Sequence, residues 1–373
     1  MKHASVVLSS ALCVLSLSLI TGCGGASTAS ASGTDSESSS ASVPAAPSVP
    51  SVANGAGSVP AAPSGPSGAS GGGSPGHLFA PYVDLSLASS VNLLAMHQQS
   101  GAKVLTLAFI VDNGSCQASW GSLGQTIPND SLSNGTSIAS LVSGVRQAGG
   151  DVIVSFGGAN GTDLSAGCSS AAQVQAMYQS VIDRYQLKMV DFDIEGYQAS
   201  SQPAVDLRTE AIKELKASNP GLVVSYTLPV LPTGLVDAGL NILNRAKASG
   251  LNLDVVNVMA MDYGSNADNG GQMGQNAIAA ATATEAQIKQ AGLSSSVGVT
   301  PMIGVNDTNT EVFQLSDAQM MVDFARTHDY VSRLAMWSVS RDNGSCAGQT
   351  WASPVCSGIA QGSYAFAQVF AGF

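Results

Sequence analysis

Basic residues are scarce in this chain of 373 residues. Lysine and arginine together number 14 against 25 aspartate and glutamate residues, and the formal net charge is -11. A nucleic-acid partner needs a basic surface to neutralise phosphate groups, so we expect no nucleic-acid partner. The same excess of acid gives no attraction to anionic lipid, whereas a neutral substrate would be indifferent to it.

The sequence patterns of two common kinds of site are also missing. The four histidines are scattered and no Cys-x-x-Cys pair occurs, so we expect no metal site. No GxGxxG turn follows the first predicted strand, which argues against a dinucleotide-binding fold, and we expect no cofactor. The hydrophobic content of 45% is nevertheless typical of a globular protein with a large core.

The first 22 residues predict a lipoprotein signal peptide. A short basic start and an apolar run lead to Leu19-Ile20-Thr21-Gly22-Cys23, which resembles the bacterial lipobox. We therefore expect Cys23 to become the lipidated N-terminus of an exported protein. Its acyl chains would be the sole attachment to the bacterial envelope, at the outer membrane or the cell surface. An ordinary secretory signal, cleaved nearby to release a secreted protein, is the alternative.

Residues 23–77 predict a tether behind the lipidated cysteine. Residues 24–76 consist almost entirely of Ser, Ala, Gly, Pro and Val, with Asp35 and Glu37 as their only charges. Such a segment cannot bury enough apolar surface to fold, so we expect a disordered linker. The folded domain is then expected to occupy residues 78–373.

Cysteine usage agrees with export. Four cysteines remain beyond the signal, and an even number in an exported chain predicts two disulfides with three possible pairings. The short loop between the last two cysteines makes their pairing the easiest, which leaves the first with the second. In chain order they are Cys116, Cys168, Cys346 and Cys356.

Strand-like and helix-like stretches alternate beyond the linker. Eight apolar segments typical of strands are interleaved with amphipathic segments, several of which end in glycine. Eight such pairs in about 300 residues favour a single (β/α)8 TIM barrel of the α/β class over an open doubly wound sheet. A TIM barrel carries its active site at the C-terminal ends of the strands. The strand candidates are residues 78–85, 103–111, 151–158, 189–196, 222–230, 254–263, 296–305 and 332–340.

The fourth strand candidate has a carboxylate at every second position, at Asp191, Asp193 and Glu195. Alternate residues of a strand face the same side, so we expect these three side chains to point together towards the barrel mouth. Like charges in a poorly solvated place predict that at least one holds a proton at neutral pH. Glu195 lies outermost and is the candidate general acid. A metal site, with Asp262 and Asp307 as further ligands, and a buried structural network are the alternatives.

Asp191-Phe-Asp193-Ile-Glu195 resembles the DxxDxDxE signature of glycoside hydrolase family 18, which contains the chitinases and endo-β-N-acetylglucosaminidases. Ser155-Phe-Gly157-Gly158 on the third strand resembles the SxGG motif of that family. Residues 257–263 resemble its sixth-strand pattern, and Trp337 lies where the family keeps a tryptophan under the cleaved sugar. The resemblance extends over residues 78–373 and implies a TIM barrel.

The resemblance also implies a retaining, substrate-assisted hydrolysis of β-1,4-linked N-acetylglucosamine polymers. In that reaction Glu195 protonates the leaving oxygen, Asp193 orients the acetamide group, Asp191 tunes Asp193, and Tyr263 donates to the acetamide oxygen. No separate carboxylate nucleophile is required. The residues expected to bind substrate are Trp337, Tyr82, Met259, Met261, Asp262 and Ser155.

The chain departs from the family pattern at two positions. Lys188 stands where the first Asp of the signature belongs, and Met261 stands where the sixth strand usually has tyrosine. Tyr263 follows two residues later and, by strand alternation, is expected on the same face. Three rival interpretations stay open: an endo-β-N-acetylglucosaminidase acting on N-glycans, a non-catalytic sugar-binding barrel, and an envelope protein acting on peptidoglycan. We expect the protein to act as a monomer.

Overall fold

Parallel strands and helices alternate through the part of the chain that the structure describes. The structure is a computed structural model and describes residues 76–373 except Pro128 and Asn309. The predicted signal peptide, the lipidation site Cys23 and nearly all of the predicted linker lie outside the described residues. No described helix is long and apolar enough to cross a membrane.

Eight parallel strands close into a barrel. The first, β1, has two segments, Leu78–Phe79 and Tyr82–Asp84, separated by Ala80 and Pro81. The first segment pairs with the last strand, at Arg333 and Leu334, and the second pairs with the next strand in sequence. The split β1 therefore joins the two edges of the sheet. The remaining strands are β2 Val104–Asp112, β3 Asp151–Gly157, β4 Met189–Asp193, β5 Val223–Leu231, β6 Val255–Ala260, β7 Ser296–Pro301 and β8 Val331–Leu334.

Each strand is followed by a helix, which confirms the predicted (β/α)8 architecture. The helices connect parallel neighbours, as the crossover in each βα unit requires. Gly101, which has φ 72, directly follows helix α1 as its C-cap, and Gly250, which has φ 76, does the same for α5. The helices are α1 Leu93–Ser100, α2 Ile138–Gln147, α3 Ala171–Tyr185, α4 Gln202–Ser218, α5 Asp237–Ser249, α6 Met273–Gln290, α7 Leu315–Arg326 and α8 Ala365–Phe370.

An aromatic cluster binds three neighbouring strands to helix α3. Phe192 of β4 lies 5.2 Å from Phe156 of β3, 4.9 Å from Tyr178 of α3 and 6.0 Å from Tyr226 of β5, measured between ring centroids. All four rings are almost completely buried. Burying each large apolar side chain stabilises the fold by about 1.5–3 kcal/mol. Because strand residues alternate in direction, Asp191 and Asp193 on either side of Phe192 face the barrel interior.

Both predicted disulfide pairings are present at the C-terminal ends of the strands. Cys116 in the loop after β2 is bonded to Cys168 after β3, and Cys346 is bonded to Cys356 within the loop after β8. The first bond links two neighbouring loops across a sequence separation of 52 residues, whereas the second closes a separation of 10 residues. Cross-links of this kind restrict the unfolded chain and hold the loops that surround the barrel mouth.

Candidate active site

A cavity of about 400 Å³ lies at the mouth of the barrel. Carboxylates and aromatic rings from the ends of several strands line it, and none of its described lining residues is Lys, Arg or His. The acidic lining residues are Asp84, Asp193, Glu195, Asp262 and Asp307. Tyr82, Phe109, Trp120 and Trp337 are the aromatic ones. Sugar-binding sites use this combination, because rings stack on sugar faces and carboxylates accept hydrogen bonds.

Asp191 lies at the base of this site and is fully buried. Its Oδ2 accepts hydrogen bonds from Tyr82 at 2.9 Å and Ser155 at 2.7 Å, and its Oδ1 accepts from Ser225 at 2.5 Å and Thr227 at 2.8 Å. The barrel register produces this arrangement, since Ser155 and Ser225 pair directly with Asp191 across β3 and β5. Four hydroxyl donors surround the two carboxyl oxygens, so Asp191 is held rigidly beneath the cavity.

Asp193 lies one step nearer to the cavity and is 5% exposed. Its Oδ1 has no hydrogen-bond partner among the described residues, although its carboxyl group contacts that of Glu195. Burial raises the pKa of Asp193 well above its ordinary value, and the nearby charges of Glu195 and Asp191 raise it further. A hydrogen bond between two carboxyl groups requires one proton, so Asp193 and Glu195 titrate as a pair.

Glu195 is the outermost and most accessible of the three acids. It lies two residues beyond the last residue of β4, in extended backbone, and Gly196 after it has φ 52, where the chain turns into the short helix Gly196–Ser200. Partial burial raises the pKa of Glu195, the charge of Asp262 raises it further, and the hydrogen bond with Asp193 opposes these effects. A carboxyl group that keeps its proton and faces a cavity has the properties of a general acid.

The two glycines after Ser155 allow close contacts that another residue would prevent. A Cβ on Gly157, which has φ 102, would lie 2.2 Å from the carbonyl oxygen of Asp193, and one on Gly158 would lie 2.7 Å from the ring of Phe109. The Gly158 N–H also donates to that Asp193 oxygen at 3.0 Å. The glycines therefore fix the backbone of Asp193 and leave space for an aromatic wall.

Trp337, Phe109 and Tyr82 form one aromatic wall of the cavity. Trp337 stacks on Phe109 with ring centroids 5.7 Å apart, and Tyr82 lies 6.0 Å from Trp337 and 6.2 Å from Phe109. Trp337 and Tyr82 were expected here, and Tyr82 has a second contact because its hydroxyl donates to Asp191. Phe109 was missed, since an aromatic residue near the end of an apolar strand carries no signal of its own.

The end of β6 departs from the expected geometry. Met259, Met261 and Asp262 line the cavity, but Tyr263 does not. Regular pairing ends at Ala260 and Asp262 has φ 50, so strand alternation no longer sets the direction of the next side chain. Tyr263 is instead 7% exposed and packs with the main hydrophobic core. Its expected approach to the substrate is therefore not found.

Ser155 and Lys188, two other residues named from the sequence, both lie outside the cavity. Ser155 is fully buried and outside the cavity lining, so it supports Asp191 by a hydrogen bond rather than contacting a ligand. Lys188 directly precedes β4 and is exposed, at the end of the strand remote from the mouth. Its replacement of an aspartate thus leaves the acids at the other end in position.

Arg333 was not singled out from the sequence. It lies on β8, is 4% exposed, and donates to Ser225 Oγ at 2.7 Å, which in turn donates to Asp191. Burial lowers the pKa of Arg333, whereas the nearby charge of Asp191 opposes this effect. A buried cation therefore lies behind the anionic end of the site. Nothing within one strand indicates such a contact between strands that are distant in sequence.

Replacing Asp193 by asparagine is expected to stabilise the protein at neutral pH. A carboxyl whose pKa is raised in the folded state binds more protons when folded, so stability falls as pH rises above the unfolded value of about 4. The amide does not titrate and escapes this loss. We expect the melting temperature of Asp193→Asn to exceed that of wild type at pH 7 and the difference to disappear towards pH 3. A difference in melting temperature that does not change with pH would contradict the raised pKa of Asp193.

Comparison with known proteins agrees with the geometry. The sequence profile described as Glycosyl hydrolases family 18 matches residues 80–342. A probable bifunctional chitinase/lysozyme of Escherichia coli (strain K12) is 36% identical over 321 residues, which cover 80% of this chain and 35% of that protein. Endochitinase 11 of Metarhizium anisopliae is 36% identical over 288 residues, which cover 72% of this chain and 53% of that protein.

A solved structure also resembles the domain. The catalytic domain of a hyperthermophilic chitinase from Pyrococcus furiosus is 34% identical, with a TM-score of 0.68 over 79% of this chain and 94% of that chain. The chain spans only about a third and about half of the length of the two curated relatives. The profile match nevertheless covers most of the described domain and includes every strand-end acid of the site. The chain belongs to family 18 of the glycosyl hydrolases.

Proposed function

We propose that the protein is a chitinase-like hydrolase that cleaves β-1,4-linked N-acetylglucosamine polymers. The observation that carries this proposal is the order of the three acids along β4. Glu195 faces the cavity, Asp193 lies beneath it with an oxygen that has no described partner, and Asp191 is held by four hydroxyl groups. This order supplies a proton donor and a polar group beneath it.

The same order disfavours a carboxylate nucleophile. The oxygens of Asp191 are occupied and buried, and Asp193 contacts the acid itself. The nucleophile is then the acetamido oxygen of the sugar, which bonds to the anomeric carbon as the glycosidic bond breaks. Glu195 transfers its proton to the leaving oxygen, and Asp193 accepts a hydrogen bond from the acetamide N–H of the cyclic cation. Water, deprotonated by Glu195, then opens this intermediate with net retention of configuration.

The aromatic wall supports binding of the cleaved sugar. Trp337 lies three residues beyond the end of β8, is partly exposed, and lines the cavity opposite the strand that carries the acids. An indole face stacks on the apolar face of a pyranose ring and leaves the ring substituents free for hydrogen bonds. Met259 and Met261 extend the apolar lining on another side. Both 36% identical relatives are named for chitinase activity, which favours chitin over N-glycans as the substrate.

Hydrolysis of chitin oligosaccharides tests the proposal. We expect cleavage by wild type, with the β-anomer formed first when proton NMR follows the products. Oligosaccharides of unacetylated glucosamine should not be cleaved, because they lack the attacking oxygen. Initial release of the α-anomer would overturn the substrate-assisted reaction.

The same assay distinguishes the rival functions. Binding without cleavage would identify a sugar-binding barrel. Cleavage of N-glycans alone would identify an endo-β-N-acetylglucosaminidase, and cleavage of peptidoglycan alone would identify a cell-wall hydrolase.

Export and lipid anchoring form part of the same proposal. The two disulfides of the barrel favour an oxidising compartment, and the lipobox-like end at Cys23 favours an acylated N-terminus. A tether of about 50 residues would then let the barrel reach a polymer away from the membrane. Mass spectrometry of the mature N-terminus tests this part. A diacylated or triacylated Cys23 is expected, and an unmodified residue there would restrict the proposal to secretion.

A further inference from the structure

Two loops at the barrel mouth are joined by a reciprocal pair of hydrogen bonds. The Asp262 side chain, in the loop after β6, accepts from the backbone N–H of Thr308 at 2.8 Å. The Glu311 side chain, in the loop after β7, accepts from the backbone N–H of Gly264 at 2.8 Å. Each loop thus uses a carboxylate to cap the backbone of the other, and we call this arrangement the cross-loop clamp.

The clamp holds a turn that needs support. Asp262 has φ 50 and Gly264 has φ 82, so two residues of this turn adopt the left-handed conformation. For Asp262, which has a Cβ, that conformation is less favourable and requires fixing contacts. Glu311 holds the far end of this turn, at the Gly264 N–H, from beside a short hairpin in which Gly304–Val305 pairs with Val312–Phe313.

Glu311 itself is an unusual residue for a loop. It is fully buried, and its Oε2 has no hydrogen-bond partner among the described residues. The Tyr263 hydroxyl, which is also buried without a described partner, lies close enough to interact with its charge. Burying a carboxylate is costly, so a structural loop alone gives little reason to keep one here. What it supports, however, is the turn carrying Asp262.

We propose that Glu311 is a positioning residue that holds Asp262 beside Glu195 through the cross-loop clamp. This inference rests on the proposed function, since Glu195 is there the general acid. Asp262, in the loop after β6, lines the same cavity as Glu195, and its charge acts on Glu195. Without the clamp, the turn relaxes towards a right-handed backbone and Asp262 turns away from the acid. Glu311 thereby governs the pH range in which Glu195 keeps its proton.

Several other charged groups surround Asp262 and Glu195. Asp193 faces Glu195 from its own strand, and Asp307 acts on Asp262 from the loop after β7. Arg341, behind that loop, donates to the carbonyl oxygens of Ile303 and Val305 and interacts with both Asp262 and Asp307. None of them caps the turn after β6, so removing Glu311 changes the position of Asp262 while leaving these groups in place.

Substitution of Glu311 by alanine should move the alkaline limb of the kcat/KM profile to lower pH. The limb reports loss of the Glu195 proton, and a carboxylate nearby favours the protonated form. Glu311→Gln keeps an acceptor oxygen for the Gly264 N–H and should keep the wild-type limb. In an Asp262→Asn background, Glu311→Ala should cause no further shift, because the charge it positions is already absent.

A matched control separates positioning from general loosening of the mouth. Asp112 is 8% exposed and caps the N–H groups of Gly114 and Gln117 in the loop after β2. Asp112→Ala should lower the melting temperature without moving the limb. If Glu311→Ala does not fold, Glu311→Asp, which withdraws the carboxylate by one methylene, should move the limb less but in the same direction. An unmoved limb, or a shift that persists beside Asp262→Asn, would overturn the proposal.

A direct titration makes the test independent of catalysis. The chain has six glutamates, so the carboxyl signal of Glu195 can be assigned in a sample labelled with 13C-glutamate by comparison with Glu195→Gln. We expect the Glu195 titration midpoint to fall in Glu311→Ala and to remain in Glu311→Gln. An unchanged midpoint would overturn the positioning role. Absence of chitin hydrolysis by wild type would instead overturn the proposed function and leave this titration readable.

Discussion

Replacing Glu195 by glutamine is expected to lower kcat/KM on chitin oligosaccharides by about 10²- to 10⁴-fold, the usual contribution of a general acid. The amide keeps the shape of the side chain and its place at the cavity, but it has no proton of suitable acidity. KM should therefore change little while kcat falls. The measurement is steady-state hydrolysis below the alkaline limb, where wild-type Glu195 is protonated.

The control for this substitution is the same chemical change elsewhere in the barrel. Glu214 is exposed on helix α4 and is not among the residues that line the cavity, so Glu214→Gln should keep wild-type rates. Equal rates for wild type and Glu195→Gln would refute the assignment of the acid. If neither wild type nor Glu195→Gln cleaves the oligosaccharides but both still bind them, the protein is instead a sugar-binding barrel.

The pH dependence of the wild-type enzyme follows from the same residue. Burial and the charge of Asp262 raise the pKa of Glu195, so its proton persists above the ordinary glutamate range. Activity should thus extend to higher pH than an unperturbed carboxyl would allow and decline as pH rises through the raised pKa. Glu195→Gln should show a low residual rate without this limb.

Replacing Arg208 by methionine is expected to destabilise the protein by about 3–5 kcal/mol, the usual effect of breaking a buried ion pair. Arg208 of α4 is 1% exposed, and its Nε lies 3.5 Å from Oδ2 of Asp163, whose side chain is 3% exposed. It also donates at 3.3 Å to the carbonyl oxygen of Gln198, in the short helix that follows Glu195. Its loss leaves a buried carboxylate without a counter-charge beside the active site.

A double substitution distinguishes the ion pair from lost packing. Asp163→Asn combined with Arg208→Met removes both charges, so the loss of stability should be smaller than for Arg208→Met alone. Urea-induced unfolding at neutral pH measures the stability of the single and the double variant, and the shift of each midpoint from that of wild type allows the two to be compared. A double variant less stable than the single one would show that Asp163 does not depend on Arg208.

The sequence contained most of the site along β4. Alternation placed Asp191, Asp193 and Glu195 on one face, and Gly196 indicated the end of the extended backbone, which continues two residues past the last paired residue of β4. Both are local properties, because the period of two within a strand depends on neighbouring residues alone. The same reasoning failed for Tyr263, where the strand had already ended and Asp262 took a left-handed backbone. A single backbone angle there redirects the following side chain.

The alternation of eight apolar and eight amphipathic segments and the acid triplet were thus determined by the sequence itself, whereas of the three possible cysteine pairings it only favoured the one that the structure contains. Three features were decided by tertiary structure alone. Ser155 donates a hydrogen bond to Asp191 instead of contacting a ligand, Arg333 lies behind the site, and Glu311 caps the turn that contains Asp262. The physical reason is distance along the chain. These contacts join strands and loops that meet only when the barrel closes, and their energies depend on geometry that no local pattern contains.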